Sequence, residues 1–144
     1  EPSALARAIA AMASRVESPQ AVVAIESRGF IFGTALALRW SVPLILARKS
    51  GKLPGSTVSE RYTLEYGTDS IELREDALST GQHVVVVDDL LATGGTAAAA
   101  ARLVEALGAQ VDALIFLIEL RGLGGRGRLA PRRVEAVMDF EVTP

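Results

Sequence analysis

Apolar residues recur along the chain at two spacings, one typical of buried strands and one typical of helices. Short continuous apolar runs predict strands at residues 21–26, 42–47, 83–88 and 111–118. Helical spacing predicts helices at residues 4–16 and 30–40 and near residues 95–107, the last ending before Gly108. Strand–helix alternation with continuously apolar strands is typical of a parallel sheet covered on both faces. We therefore predict a single α/β domain with a central, mainly parallel, twisted sheet flanked by helices.

One segment interrupts this alternation. After a polar, glycine-containing stretch at residues 48–60, residues 62–67 (YTLEYG) and 70–75 (SIELRE) alternate with a period of two. That spacing predicts an antiparallel hairpin that turns near residues 67–69. An insertion of this kind often covers the site of an otherwise regular α/β domain, so we expect an inserted hairpin with a flexible loop.

Composition and charge narrow the possible functions. The chain has 144 residues, of which 49% are hydrophobic, as expected for one folded domain. Fifteen basic and 17 acidic residues give a net charge of −2 without a basic tract, so neither nucleic acid nor a membrane is predicted as a partner. The absence of cysteine excludes thiol chemistry, and the one histidine, His83, is interpreted as structural. With no apolar leader at its start, the chain is expected in the cytoplasm.

The strongest chemical signal is VVVVDDLLATGGT at residues 84–96. An apolar strand ends in two acids, and a loop of small residues leads into a helix; the polar and glycine positions are Asp88, Asp89, Thr93, Gly94, Gly95 and Thr96. Backbone amides, hydroxyls and the positive end of the helix suit a phosphate monoester. The carboxylates would accept hydrogen bonds from a sugar or lie near a metal-bound diphosphate. Ligands of open α/β sheets bind at this end of the strands.

These thirteen residues match, at every position, the phosphoribosyl pyrophosphate signature of the type I phosphoribosyltransferases. ESRGFIFG (26–33), RKSGKLPG (48–55) and YTLEYG (62–67) narrow the resemblance to the adenine phosphoribosyltransferase family, and it covers nearly the whole chain. The resemblance implies an enzyme that transfers phosphoribose from 5-phosphoribosyl 1-pyrophosphate (PRPP) to adenine, giving AMP and pyrophosphate. It further implies Mg²⁺ carried by PRPP rather than by direct protein ligands, and a homodimer.

The resemblance also assigns roles to residues. The 5′-phosphate is assigned to Ala92, Thr93, Gly94, Gly95 and Thr96. A pyrophosphate loop, which in the family often contains a cis non-proline peptide, is assigned to Glu26, Ser27, Arg28 and Gly29, with Arg48, Lys49 and Lys52 as further cations. Asp88 and Asp89 are assigned to the ribose, Glu65 to proton handling near the base, and Tyr66 to the flexible loop.

Two alternatives stay open at this point. One is a transferase for another purine base, and the other is a non-catalytic sensor of PRPP or nucleotides with the same fold. The family also has an N-terminal segment, rich in Phe, Pro and Asp, that folds over the adenine. We expect residues 1–144 to form the phosphoribosyltransferase domain without that base-binding segment.

A second glycine motif, RGLGGRG at residues 121–127, has the formal spacing GxGxxG. Pro131 follows it closely and argues against a long helix there, so a dinucleotide fold is not predicted. We interpret the segment as a glycine-rich surface loop, with Leu120 or Leu123 as a wall of the base pocket.

Overall fold

The computed structural model describes residues 1–64 and 66–143. In chain order, its elements are α1 (Pro2–Ala13), β1 (Ala21–Ile25), α2 (Gly29–Trp40), β2 (Leu44–Lys49), β3 (Thr57–Leu64), β4 (Gly67–Arg74), β5 (His83–Leu91), α3 (Gly95–Ala106), β6 (Gln110–Arg121), α4 (Gly125–Leu129) and β7 (Val134–Glu141).

The strands form one sheet in the order β3-β4-β2-β1-β5-β6-β7. Strands β2, β1, β5, β6 and β7 run parallel to their neighbours, and the β3–β4 hairpin joins the β2 edge in antiparallel pairing. This confirms the predicted α/β domain with a mainly parallel sheet and an inserted hairpin. Because β1, β2 and β5 are parallel, their carboxyl ends lie at one edge of the sheet.

The central strands are buried on both faces because helices cover both faces. Val23 and Val86 point into a core that includes the alanines of α3, whereas Val22 and Val85 point into a second core with α1 and α2. Fully burying a valine stabilises the fold by about 1.5–3 kcal/mol. This two-sided burial explains why the strand sequences are continuously apolar rather than alternating.

Helix α3 lies between the sheet and the hairpin. It contacts β5 and β6 on one side and β3 and β4 on another, and residues 97–101, all alanine, are buried. Small side chains all round the helix permit this close approach. The hairpin therefore folds over the start of α3 rather than projecting into solvent.

Three sequence predictions were wrong in detail. The hairpin does not turn at residues 67–69, because Leu64 pairs with Gly67 and Thr63 pairs with Thr68, which places residues 67–69 within β4. The polar stretch that precedes the hairpin also joins the sheet, since residues 57–60 pair with residues 71–74. The segment interpreted as a surface loop ends in the short helix α4, which stops before the cis peptide bond between Ala130 and Pro131.

Strand β7 was not predicted at all. Among the described residues it pairs with β6 alone, and most of its side chains are partly or fully exposed. An edge strand of this kind carries mixed apolar and charged residues, and its sequence lacks the continuous apolar run of a central strand. Within the described ranges, no helix has the length and hydropathy needed to cross a membrane.

Candidate active site

Two adjoining cavities lie at the carboxyl ends of β1, β2 and β5. The larger, of about 390 Å³, is polar and is lined by Glu26, Ser27, Arg28, Lys49, Lys52, Asp88 and Asp89. The smaller, of about 110 Å³, is lined by Asp88 and by residues 90–97, which form the end of β5, the glycine loop and the start of α3. Asp88 borders both cavities, so a ligand that fills them would pass this carboxylate.

A cleft of about 510 Å³ lies at the opposite edge of the sheet, where β6 begins. Its lining includes Arg15, Gln110 and Arg133, but none of the signature residues. Size alone would favour this cleft. We assign the site to the carboxyl edge instead, because ligands of open α/β sheets bind there and because the cations, acids and glycine loop converge there.

Asp88 and Asp89 have different surroundings although they are neighbours in sequence. Asp88 is partly buried and its Oδ1 accepts a 2.8 Å hydrogen bond from the backbone N–H of Asp89. It also packs against the start of α2, where a Cβ added to Gly29 would lie 3.0 Å from the same oxygen. Asp89 is 20% exposed and accepts a 2.5 Å hydrogen bond from Nε of Arg28.

These surroundings change the ionisation of Asp88. Burial raises its pKa to about 8, and the nearby Asp89 side chain adds to the increase, while the Asp89 backbone N–H and Arg28 oppose it. Asp88 is therefore mostly protonated in the free protein at neutral pH. A carboxyl group with a strongly shifted pKa in a cleft is a common property of functional sites.

Glu26 holds the cationic side of the larger cavity together. Its carboxylate is only 9% exposed and accepts hydrogen bonds from Nζ of Lys52 at 2.6 Å, the backbone N–H of Lys49 at 3.1 Å and Nε of Arg48 at 3.2 Å. Burial alone would raise the pKa of Glu26, but these three hydrogen bonds lower it below its usual value. The peptide bond between Glu26 and Ser27 is cis, as the resemblance implied. Glu26 thus orients cations rather than facing an anion itself.

Lys49 connects the cavity to the hairpin. Its Nζ lies 3.2 Å from Oδ2 of Asp69 on β4. The neighbouring Tyr62 on β3 is 8% exposed; burial raises the pKa of its hydroxyl, which also interacts with Asp69 and Thr96. The hairpin is therefore linked through polar side chains to both the cationic cavity and the glycine loop.

The glycine loop leads directly into α3. Gly94 has φ +84°, which favours glycine, and α3 begins at the next residue. A Cβ at Gly94 would lie 2.9 Å from the carbonyl oxygen of Gly125, so the loop also contacts the start of α4 at backbone distance. This geometry leaves the amino end of α3 directed into the smaller cavity.

Comparison with known proteins identifies the family. The model of the phosphoribosyl transferase domain matches residues 2–137. The adenine phosphoribosyltransferase of Agathobacter rectalis is 52% identical over 120 residues, which cover 83% of this chain and 69% of that protein. The chain belongs to the adenine phosphoribosyltransferase family.

Solved structures of the family agree with this assignment. The adenine phosphoribosyltransferase of Thermoanaerobacter pseudethanolicus has a TM-score of 0.94 at 47% identity, covering 97% of this chain and 83% of its own. The Saccharomyces cerevisiae enzyme, solved in complex with D-2,5-dideoxy-2,5-imino-altritol 1,6-bisphosphate and adenine, has a TM-score of 0.89 at 39% identity, covering 95% of this chain and 81% of its own.

The sequence-predicted residues of this family member fall into three groups. Those assigned to pyrophosphate and ribose line the larger cavity except Gly29, which packs against Asp88, and Arg48, which contacts Glu26; those assigned to the 5′-phosphate line the smaller one. Tyr66 is 92% exposed and contributes to neither cavity, and Glu65 lies outside the described residues. Leu120 lines a separate cavity of about 210 Å³ beside the second glycine motif, whose lining does not include Leu123.

Sequence reasoning missed several residues that support the site. Asp69 contacts Lys49, and Tyr62 interacts with Thr96, because the hairpin folds over α3. Glu119 is 7% exposed and binds Arg126 of α4 through two hydrogen bonds, of 2.7 and 3.1 Å. The one sequence feature that could have indicated this ion pair is that Glu119 and Arg126 lie close together, before and within the second glycine motif.

Proposed function

We propose that this chain catalyses the transfer of phosphoribose from PRPP to adenine, giving AMP and pyrophosphate. The observation that carries the proposal is the position of Asp88 between two adjoining cavities, one rich in cations and one formed by the glycine loop. PRPP has the matching shape: a ribose with a phosphate at one end and a diphosphate at the other.

The smaller cavity would take the 5′-phosphate. Backbone amides of Ala92–Thr96 and the hydroxyls of Thr93 and Thr96 are the donors, and the amino end of α3 favours the negative charge. A dianion held there fixes one end of the sugar. The ribose hydroxyls would then lie beside Asp88 and Asp89, which accept their hydrogen bonds.

The larger cavity would take the diphosphate. Arg28, Lys49 and Lys52 line it, and Arg48 donates a hydrogen bond to Glu26 beside them. In the free protein Arg28 is paired with Asp89 and Lys49 with Asp69, so diphosphate binding would exchange a carboxylate partner for a phosphate oxygen in each case. This exchange keeps the charges compensated in both states.

In the reaction the bond between the anomeric carbon and the diphosphate oxygen breaks, and its electron pair leaves with pyrophosphate. A ring nitrogen of adenine forms the new bond and loses its proton, for which Glu65 is the proposed acceptor. Positive charge develops on the sugar in between. Ionised Asp88 and Asp89, fixed beside the ring, would stabilise that charge, and the cations of the larger cavity would stabilise the leaving group.

Magnesium is part of the proposal as an ion that PRPP carries. The described residues contain no cluster of three or more His, Cys, Asp or Glu side chains suited to a metal ion. Mg²⁺ usually keeps several waters and binds substrate phosphates, and Asp88 and Asp89 would lie near the metal-bound diphosphate without being assigned as its direct ligands. When bound, the ion would supply charge neutralisation of the diphosphate.

A homodimer and a cytoplasmic location belong to the proposal as well. Both rest on the family resemblance. Neither affects the assignment of the two cavities.

One assay tests the activity. The protein is incubated with Mg²⁺, PRPP and one purine base at a time, and pyrophosphate release is followed. Release with adenine alone is expected; release with hypoxanthine, guanine or xanthine instead would indicate the other transferase. Binding of PRPP without release for any base would favour the sensor.

A variant adds a test of the site. Asp89→Asn should lower turnover far more than it lowers the melting temperature, because Asp89 faces the ribose and is not needed by the core. Asp112→Asn is the matched control, since Asp112 is a partly exposed aspartate at the amino edge of the sheet, paired with His83. Equal turnover in Asp89→Asn and in the unmodified protein would remove the ribose role.

A further inference from the structure

The second glycine motif lies against the first. A Cβ at Gly125 would lie 2.4 Å from the carbonyl oxygen of Ala92 and 2.8 Å from Cδ1 of Leu91. The carbonyl oxygen belongs to the backbone and cannot withdraw without moving the glycine loop. Gly125 therefore permits α4 to pack directly on the loop assigned to the 5′-phosphate. Close packing, rather than dinucleotide binding, explains the glycine at this position of the second motif.

Helix α4 is anchored on both sides. Arg126 forms its two hydrogen bonds with the buried Glu119, and its Nη1 donates a third, of 2.8 Å, to the carbonyl oxygen of Val134. Leu129 is fully buried in the core shared with α3. The residue between these two anchors and next to Leu129 is Arg128, so its backbone position is fixed.

The side chain of Arg128 extends to the start of α3. Its Nη1 lies 3.4 Å from the position of a Cβ built on Gly95, the first residue of that helix. Gly95 is itself part of the loop assigned to the phosphate. The guanidinium thus lies beside this loop, close to the smaller cavity but not among the residues that line it, although Arg128 is 33 positions from Gly95 in sequence.

The charge of Arg128 is relevant to phosphate binding in the smaller cavity. Among the described residues that line the smaller cavity, none is a lysine or arginine, and Asp88 contributes a carboxyl group. A phosphate monoester bound there would bring close to two negative charges at neutral pH. Arginine presents a planar set of donors that suits phosphate oxygens, and such charge-assisted hydrogen bonds are stronger than neutral ones.

We propose that Arg128 is a substrate-binding residue outside the signature, which contacts the 5′-phosphate from α4. The inference rests on the proposed function and extends it. The Glu119–Arg126 pair positions the helix, the absence of a side chain at Gly125 and Gly95 allows the approach, and Arg128 supplies the positive charge that the loop itself lacks.

Binding of two simple anions tests the inference. Ribose 5-phosphate probes the smaller cavity and pyrophosphate with Mg²⁺ probes the larger one, each by titration calorimetry. Arg128→Gln should bind ribose 5-phosphate about tenfold more weakly, equivalent to about 1.4 kcal/mol, while its affinity for pyrophosphate stays the same. Arg128→Lys keeps the charge but loses the planar donors, so it should show a smaller loss.

Arg121→Gln is the matched control because it removes the same charge from the same region. Arg121 is exposed and lies 3.4–3.6 Å from Glu141 and Asp139. It should leave the affinity for both anions unchanged. Melting temperatures of all variants show whether any loss of binding follows from unfolding.

The outcomes separate the inference from the proposed function. Undiminished binding of ribose 5-phosphate by Arg128→Gln would overturn the inference and leave the function intact. An equal loss for both anions would also overturn it, because Arg128 would then act through the overall charge or the fold. If the unmodified protein bound neither anion, the proposed function would fail and the inference with it.

Discussion

Binding of PRPP should release a proton from Asp88. Burial raises the pKa of this carboxyl group to about 8 in the free protein, so it is mostly protonated at pH 7. The proposed role requires the ionised form, beside the ribose and the magnesium diphosphate. Binding at neutral pH must therefore remove the proton, and PRPP affinity is linked to pH.

The size of the effect follows from the pKa. With a pKa of about 8, about one tenth of the free protein has Asp88 ionised at pH 7. If only that form binds PRPP, the apparent Kd is raised about tenfold at pH 7, equivalent to about 1.4 kcal/mol. The penalty should be almost absent at pH 9, and about one proton should be released per PRPP bound at pH 7.

Titration calorimetry without a base measures this directly, because no transfer takes place. At pH 7 the titration is repeated in buffers of different ionisation enthalpy, and the slope of the observed enthalpy gives the number of protons released. The Kd is then measured from pH 6.5 to pH 9. Asp88→Asn is the test variant and Asp112→Asn is the control, since Asp112 is remote from both cavities.

The reasoning fails under either of two results. One is that the unmodified protein releases no proton at pH 7 and its Kd is flat to pH 9. The other is that Asp88→Asn keeps the same pH dependence, which would assign the proton to the ligand or to another residue. Asp112→Asn should behave as the unmodified protein does.

Three further predictions follow from the same geometry. Glu26→Gln should lower the free energy of unfolding by about 1–2 kcal/mol; the loss is modest because its partners Lys52 and Arg48 are partly exposed. The same variant should raise the KM for PRPP about tenfold, because both cationic side chains lose their fixed positions. Gly125→Ala should lower stability by about 1–3 kcal/mol in denaturant unfolding, because the new methyl group meets a backbone carbonyl. In the free protein, the raised pKa of Asp88 gives stability that is present below pH 4 and lost as the pH rises through about 8, so Asp88→Asn should melt higher than the unmodified protein at pH 9.

Each of these has its own check. Glu72→Gln is the control for Glu26→Gln because Glu72 also accepts hydrogen bonds but lines neither cavity; an unchanged KM in Glu26→Gln would contradict the orienting role. Gly127→Ala controls for Gly125→Ala, since nothing lies within 4 Å of its added Cβ, and equal stability of the two variants would refute the close packing. A melting temperature for Asp88→Asn that matches the unmodified protein from pH 5 to pH 9 would show that Asp88 is ionised without cost.

The central fold was predictable because its strands carry a simple signal. Residues 21–25 and 84–87 are buried on both faces, and that burial requires the continuous apolar runs that the sequence shows. Strand β7 has no such signal, since its position at the sheet edge leaves most of its side chains in partial contact with water. The hairpin turn was misplaced because glycine at position 67 was taken as a turn residue, whereas the cross-strand pairing places it in the strand.

Some residues of the candidate site were likewise predictable from the sequence and others were not. A local motif marks the loop around Gly94 and Gly95, because the chain must turn there and approach a ligand closely within a few residues. The contacts of Glu26 with Lys52, and of Lys49 with Asp69, depend on which strands become neighbours in the sheet. Such pairings leave no pattern in a single sequence, so only the folded chain discloses them.

The ion pair between Arg28 and Asp89 joins positions 61 residues apart, across two strands that are adjacent only in the finished sheet. No fragment confined to one half of the chain contains both Arg28 and Asp89. Loss of PRPP affinity during unfolding should therefore coincide with separation of β1 from β5. PRPP binding would therefore stabilise the assembled domain as a whole rather than one loop.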